Sequence, residues 1–316
     1  VKTRIFFVSD VHGSERCFRK FINAAKFYSA NVLILGGDIT GKALVPVIQI
    51  SEDKFRMNFQ GQEMTVKKKE LQEYLASLRN NGLYYFMTTP EELERIANNR
   101  EEVDRIFMEQ MRSVLSSWIQ LANERLKGTD VKCYISPGND DRFEMDSILQ
   151  DSEHVINPEN RIVEIPGGYE MITLGYANPT PWKSPREVSE ERLLEMIEHL
   201  ASKLKKPETS IFNLHVPPFG TELDKAPAVN SQLEYEKAGL GMVKVVNAGS
   251  RAVRSSIEKY QPLLGLHGHI HESRGFVWLG RTLCLNPGSD YGEGTLKGAL
   301  VDLEDGKLKE FILTSG

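Results

Sequence analysis

Five short segments carry side chains able to bind a metal ion or move a proton. In chain order they are Asp-x-His at Asp10 and His12, Gly-Asp at Asp38, Gly-Asn at Asn139, the isolated His215, and Gly-His-x-His at His269 and His271. Each is a weak signal alone, because a strand-end Asp commonly caps a loop and a single His is commonly a satisfied core residue. The Gly-His-x-His run is less common. With 25 glycines and 7 histidines in 316 residues, chance gives only about 0.012 such runs per chain. The donor types narrow the chemistry further. No thiolate is among them, which excludes a structural zinc–cysteine site. Imidazole, carboxylate and an amide oxygen suit Mn, Fe, Co, Ni or Zn. Seven donors exceed what one ion of ordinary coordination number needs and suit two ions sharing a bridging carboxylate.

Such donors need a scaffold that brings distant segments to one edge. Residues 4–8 form a β-rich apolar run ending at Ser9-Asp10-Val11-His12-Gly13. Ser14 then reads as the N-cap of a helix with Phe18, Phe21, Ile22 and Ala25 on one face. Residues 32–35 are a second apolar run, closed by Gly36-Gly37-Asp38, and the unit reads as a βαβ crossover with parallel strands. Residues 131–135 end at Ser136-Pro137-Gly138-Asn139-Asp140-Asp141, residues 211–214 lead into His215, and residues 263–266 lead into His267-Gly268-His269-Ile270-His271. Polar groups just past strand C-terminal ends are where α/β sheets hold ligands. A strand pair is expected around Gly167-Gly168 and a helix over about 187–205. Antiparallel closing strands are expected near 276–278, 283–285, 299–303 and 308–313.

The stretch 42–130 has another texture and reads as an insertion of β-hairpin plus long helix, a cap or oligomerisation element. Short antiparallel strands are expected at 47–50, 55–59 and 64–66, with Gln60-Gly61 a tight turn. Leu71, Tyr74, Leu75 and Leu78 mark a helix whose start, Lys67-Lys68-Lys69, is a solvated charge run. Thr89-Pro90-Glu91-Glu92 is a capping-box helix start. Beyond it no Gly or Pro occurs until Gly128. An unbroken helix there would run roughly 37 residues, about 55 Å, and a helix of that length calls for a partner helix or a second subunit.

Composition sets the outer limits. The chain has 39 basic and 44 acidic residues, a net charge of −5, 26% charged and 40% hydrophobic residues, which describes a folded globular protein. The acidic balance and the lack of a basic stripe argue against a nucleic-acid partner. No apolar run reaches the ~20 residues that span a bilayer, and the first ten residues do not form a signal peptide. Three scattered cysteines, Cys17, Cys133 and Cys284, read as small buried hydrophobes. A cytoplasmic protein is the expectation.

The order Asp10-x-His12, Gly37-Asp38, Gly138-Asn139, His215 and Gly268-His269-x-His271 resembles that of the calcineurin-like metallophosphoesterases, and it covers most of the chain outside the insertion. The resemblance implies an α/β fold of α+β type, a four-layer αββα sandwich of two facing mixed β-sheets, as a single domain interrupted by the largely helical insertion. It also implies two divalent (or mixed-valence) metal ions. Asp10, His12 and His271 would hold one ion, Asn139, His215 and His269 the other, with Asp38 bridging. His267 matches no ligand position and reads as a supporting or structural histidine.

One departure is visible. Most of the family has histidine after the motif asparagine, where Asp140 stands here, with Asp141 in the acidic place that follows. An ionised Asp140 repels a phosphate, so it could serve as an acid only with its pKa raised well above about 3.9. The alternative turns it away or has it orient a neighbour, with Arg142 facing the substrate. Substrate-mouth candidates include the loop Asn178-Pro179-Thr180-Pro181-Trp182. The function expected is metal-dependent hydrolysis of a small-molecule phosphate ester, a diester in preference, by a metal-bridging hydroxide. The competing readings are a catalytically weak interaction module docking through the long helix, and a nuclease. A homo-oligomer formed through that helix is the expected assembly.

Overall fold

The computed structural model describes all residues except 1, 60, 231 and 239–241, together with the backbone alone of residue 59. In chain order the amino-terminal elements are β1 (Lys2–Val8), α1 (Glu15–Phe27), β2 (Val32–Gly36), β3 (Ala43–Ser51), β4 (Lys54–Phe59), β5 (Gln62–Lys67), α2 (Lys68–Asn80), β6 (Leu83–Thr88), α3 (Pro90–Ala97) and α4 (Arg100–Leu126). The chain continues with β7 (Lys132–Ser136), β8 (Val155–Ile156), β9 (Ile162–Ile165), β10 (Tyr169–Leu174), α5 (Glu190–Ala201) and β11 (Ile211–Leu214). It closes with β12 (Lys225–Pro227), β13 (Val245–Asn247), α6 (Arg251–Tyr260), β14 (Leu264–Leu266), β15 (Gly275–Leu279), β16 (Thr282–Asn286), β17 (Lys297–Glu304) and β18 (Lys307–Ser315).

Two six-stranded mixed sheets face each other. The first runs β18-β17-β1-β2-β7-β8 and the second β15-β16-β14-β11-β10-β9. In the first, β1, β2, β7 and β8 are parallel and β17 and β18 close antiparallel. In the second, β10, β11, β14 and β16 are parallel with β9 and β15 antiparallel at the edges, so the run at 283–285, expected as an antiparallel closing strand, pairs parallel to β14. Strand periodicity explains the layers. Ile5 and Phe7 of β1 point between the sheets with Ile34 of β2 and Leu266 of β14, while Phe6 and Val8 point outward. The outer face of the first sheet is covered by α1 and α4, and that of the second by α5 and α6. The fold is therefore an α+β sandwich with helices on both outer faces. All three cysteines are buried as free thiols.

Residues 42–130 differ from expectation in two ways. The stretch contains a four-stranded sheet, β5-β4-β3-β6, in which β6 pairs parallel to β3. Strand β6, Leu83–Thr88, carries no clear alternation, so its sequence does not announce it. The expected 37-residue helix is two helices, broken at Asn98 and Asn99. Asn98 Nδ2 donates to the Glu94 carbonyl and Asn99 Oδ1 accepts from the Glu102 amide, at 2.9 and 3.2 Å. Asparagine competes with the helix backbone in this way, ending one helix and capping the next. Helix α4 does not stand free. Met111, Leu115, Trp118, Ala122 and Leu126 join the outer core, and Trp118 stacks on Phe18 of α1 with ring centres 4.2 Å apart.

Helix α5 starts at Glu190, later than expected, because Ser189 caps it by accepting from the Arg192 amide at 3.2 Å. Glu187 instead staples the preceding loop, accepting from Thr180 N and Ser184 N. The Gln60-Gly61 turn lies outside the described residues. Among the described residues no helix is long and apolar enough to cross a membrane.

Candidate metal centre

The C-terminal ends of the parallel strands β1, β2, β7, β11 and β14 bring all seven expected donors together. The loops that carry them are zipped to one another. Asp10 N donates to the Gly37 carbonyl at 3.0 Å, His12 N to the Asp38 carbonyl at 2.9 Å, and Gly268 N to the His215 carbonyl at 2.8 Å. Asp10, His12, Asp38 and His269 all have positive φ, between 39° and 67°. Non-glycine residues rarely adopt that region, and such strain persists only where surrounding contacts over-determine it. Gly268 must be glycine: a Cβ there would lie 2.1 Å from Ser9 Oγ and 2.3 Å from Asp10 Oδ2.

The side-chain atoms form two overlapping groups. In the first, His12 Nε2 and His271 Nε2 are 3.1 Å apart, and Asp10 Oδ1 lies 3.4 Å from His271 Nε2 and 3.9 Å from His12 Nε2. In the second, His215 Nε2 is 3.5 Å from Asp38 Oδ1, and His269 Nδ1 is 2.7 Å from Asn139 Oδ1. Asp38 touches both groups, since its other oxygen is 3.6 Å from His12 Nε2. Asp10, His12 and His271 satisfy the spacing of a metal-holding group, as do Asp10, Asp38 and His215.

The protonation pattern fits a cation. His215 Nδ1 lies 3.0 Å from the Gly36 carbonyl, which can only accept, so Nδ1 donates and Nε2 points inward. Among the described residues that buried Nε2 has no hydrogen-bond partner. A buried unpaired polar atom is costly unless something absent satisfies it. Burial works most strongly on His215 and opposes its charge, yet Asp38 and Asp10 outweigh it and lift the imidazole to about 10. The same negative surroundings that hold a proton there would hold a metal ion. Burial keeps His12 and His269 neutral, pushed down to about 3 and about 4. Burial also acts most strongly on Asp10 and Asp38, but neighbouring histidines hold both below the ordinary carboxylate range.

The remaining candidates fall in different places. Asp140 turns one oxygen to Lys42 Nζ at 2.6 Å, while the other accepts from Ser184 Oγ at 2.6 Å and Asn139 Nδ2 at 2.8 Å. Occupying the Asn139 amide nitrogen in this way turns Asn139 Oδ1 toward His269. Arg142 does not face the cavity. It pairs with Asp104 of α4 at 2.5 Å and lies over the Phe107 ring. Asp141 is buried and accepts from Ile39 N, Thr40 N, Thr40 Oγ1 and Gly138 N, tying two donor loops together. His267 is buried, with Nδ1 2.8 Å from the Leu214 carbonyl.

Sequence reasoning missed Lys42, Ser184 and Tyr291, whose ring lies 4.7 Å from that of His12. Lys42 had a signal, since it sits four residues past Asp38 in the same donor loop. Asp38 and Asp140 raise the Lys42 ammonium above its ordinary pKa, against the larger opposing effect of burial. The donors open into a cavity of about 780 Å³, which extends past Trp182 to Phe219 and Arg251.

No family model matches the chain. An uncharacterized protein of Methanocaldococcus jannaschii is 27% identical over 154 residues, 48% of this chain; the match spans 61% of that relative's length. A solved structure from Thermus thermophilus aligns over 100% of this chain and 99% of its own, at 15% identity and a TM-score of 0.54. A phosphopantetheinyl hydrolase of Mycobacterium tuberculosis aligns over 93% of this chain and 91% of its own, at 12% identity and a TM-score of 0.45. The Thermus likeness is one of fold.

Proposed function

We propose that this chain is a calcineurin-like phosphoesterase that hydrolyses a small-molecule phosphate ester, a diester in preference, at a centre of two divalent ions. One observation carries the reading: seven donors from five segments converge, with the buried His215 Nε2 left unpaired and aimed inward. Two ions held there would supply Lewis acidity toward a phosphoryl oxygen and a nucleophile available at neutral pH.

The chain's own residues supply the rest. Asp38, lying between the two groups, is the natural shared ligand. The Gly36 carbonyl fixes the His215 tautomer, and burial keeps His12 and His269 neutral and ready to donate lone pairs. The Asp140 carboxylate and Ser184 hydroxyl hold the Asn139 amide nitrogen, leaving its oxygen for an ion. A cavity of about 780 Å³ falls in the range of small-ligand sites, roughly 300–1,000 Å³. Residues 42–130 are best read as an insertion within one catalytic domain, although α4 helps to build the outer layer of the sandwich.

The test is reconstitution of metal-free protein with Mn, Fe, Co, Ni or Zn. Bound metal is measured alongside turnover of bis(p-nitrophenyl) phosphate and p-nitrophenyl phosphate. Two ions per chain and turnover of the diester are expected, with activity lost in Asp38→Ala and His215→Ala. Full activity in either variant, or no turnover with any metal, refutes the proposal.

A further inference from the structure

The cavity wall beside the donors holds a charge pair that metal binding alone does not require. Lys42 Nζ lies 2.6 Å from Asp140 Oδ2, and both residues line the cavity with Asp38, His269 and His271. Both oxygens of the carboxylate are engaged. Its second oxygen accepts from Ser184 and Asn139, and the Asp140 amide donates to Asp38 Oδ1 at 3.0 Å. The position of the ammonium is fixed with it. An ammonium has three N–H donors; Asp140 takes one, and among the described residues no other partner takes the rest. The Lys42 side chain is 45% exposed, so those two donors are open to a ligand in the cavity.

We propose that Lys42, seated on Asp140, binds a non-bridging oxygen of the substrate phosphate, and that Asp140, by cancelling the lysine's charge, removes the preference for dianionic monoesters over monoanionic phosphodiesters that a lone lysine would impose. This rests on the phosphoesterase reading above and names its substrate class. A lone lysine would add a full positive charge beside the donors and favour the more highly charged ligand. Asp140 removes that gain while leaving two N–H groups to recognise an oxygen. A monoester carries nearly two negative charges above its second pKa of about 6, whereas a diester carries one. The interaction of a fixed charge with a ligand scales with the ligand's charge. Deleting either member of the pair therefore acts about twice as strongly on the monoester. The two deletions act in opposite directions.

The test compares Lys42→Met, Lys42→Arg and Asp140→Asn with the parent protein, all metal-loaded and matched for metal content. Binding of dimethyl phosphate and of inorganic phosphate at pH 8 is followed by calorimetry, and the ratio of kcat/KM for diester and monoester is followed separately. Lys42→Met should weaken dimethyl phosphate about tenfold and inorganic phosphate about a hundredfold. Asp140→Asn should tighten inorganic phosphate relative to dimethyl phosphate by about tenfold. Lys42→Arg should keep the parent selectivity. Lys42 makes no hydrogen bond to any of the seven donors, so Lys42→Met tests the assignment even if Asp140→Asn loses metal through Asn139. An unchanged binding ratio in fully loaded Lys42→Met overturns the proposal. A shifted binding ratio without turnover in the parent protein would instead overturn the phosphoesterase reading and leave the Lys42 assignment standing.

Discussion

His215 offers a measurement that does not depend on catalysis. In the metal-free protein the Asp38 carboxylate, 3.5 Å away, is the main influence raising its imidazole to about 10, against burial. At pH 7 such a group is protonated in all but about one molecule in a thousand. A metal ligand must be deprotonated, so metal binding at pH 7 should release about one proton from His215. Asp10 raises His271 as well, against burial, so this residue adds to the release. His12 and His269 release none, being already neutral. Apparent metal affinity should therefore fall about tenfold per released proton for each unit of pH below neutrality. Stability of the metal-free protein follows the same group. The folded pKa lies above the unfolded 6.5, so its stabilising contribution is complete below pH 6.5 and disappears as pH rises through about 10. The perturbation is Asp38→Asn, which removes the largest influence opposing burial. The His215 imidazole should then titrate lower than in the parent protein. Calorimetry of zinc binding in buffers of different ionisation enthalpy counts the protons, and imidazole NMR of the metal-free proteins follows His215. No proton release by the parent protein, or a His215 titration unmoved by Asp38→Asn, would refute the reasoning.

Two further outcomes test the scaffold. Gly268→Ala places a Cβ within 2.3 Å of Asp10 Oδ2 and should destabilise the protein by about 1–3 kcal/mol while lowering metal content, read by denaturation and metal analysis together. Trp118→Ala removes the ring stacked on Phe18 and should cost about 3–5 kcal/mol of stability. Because Trp118 packs against Phe18 of α1 in the outer core and is none of the donors, metal-binding stoichiometry in the folded variant should stay at the parent value.

The convergence of the seven donors was legible from local sequence signals, and the two facing sheets followed from the family resemblance those motifs carry. Strands that alternate between two cores read as apolar runs, and each ends in a small-residue turn bearing a donor. What escaped depends on partners distant in sequence. The Lys42–Asp140 pair joins positions on two different loops, and neither residue alone announces it. Arg142 is drawn off by Asp104, whose reach depends on how α4 docks on the sandwich. The helix break at Asn98 and Asn99 was in principle readable, since two consecutive asparagines favour caps over continuation. The regular apolar spacing on either side masked it. Strand β6 pairs parallel to β3 across an intervening hairpin and helix, so only the assembled sheet defines it.

The left-handed backbone at Asp10, His12, Asp38 and His269 connects these scales. None of the four is glycine, so each is held there against a conformational cost of order 1–3 kcal/mol. Asp10 is held by its amide on Gly37, by its carboxylate on His269 N, and by Ser289 Oγ donating to its carbonyl. His12 is held by its amide on the Asp38 carbonyl. Asp141 reinforces the Asp38 loop from below with a carboxylate that four donors surround. These contacts run from one donor loop to another, so each loop's strain is borne by its neighbours. The five segments consequently form one mechanical unit. A centre built this way resists losing a single donor without disturbing the others, which is the physical reason to expect Asp38→Asn to be felt at His215 and not only at its own position.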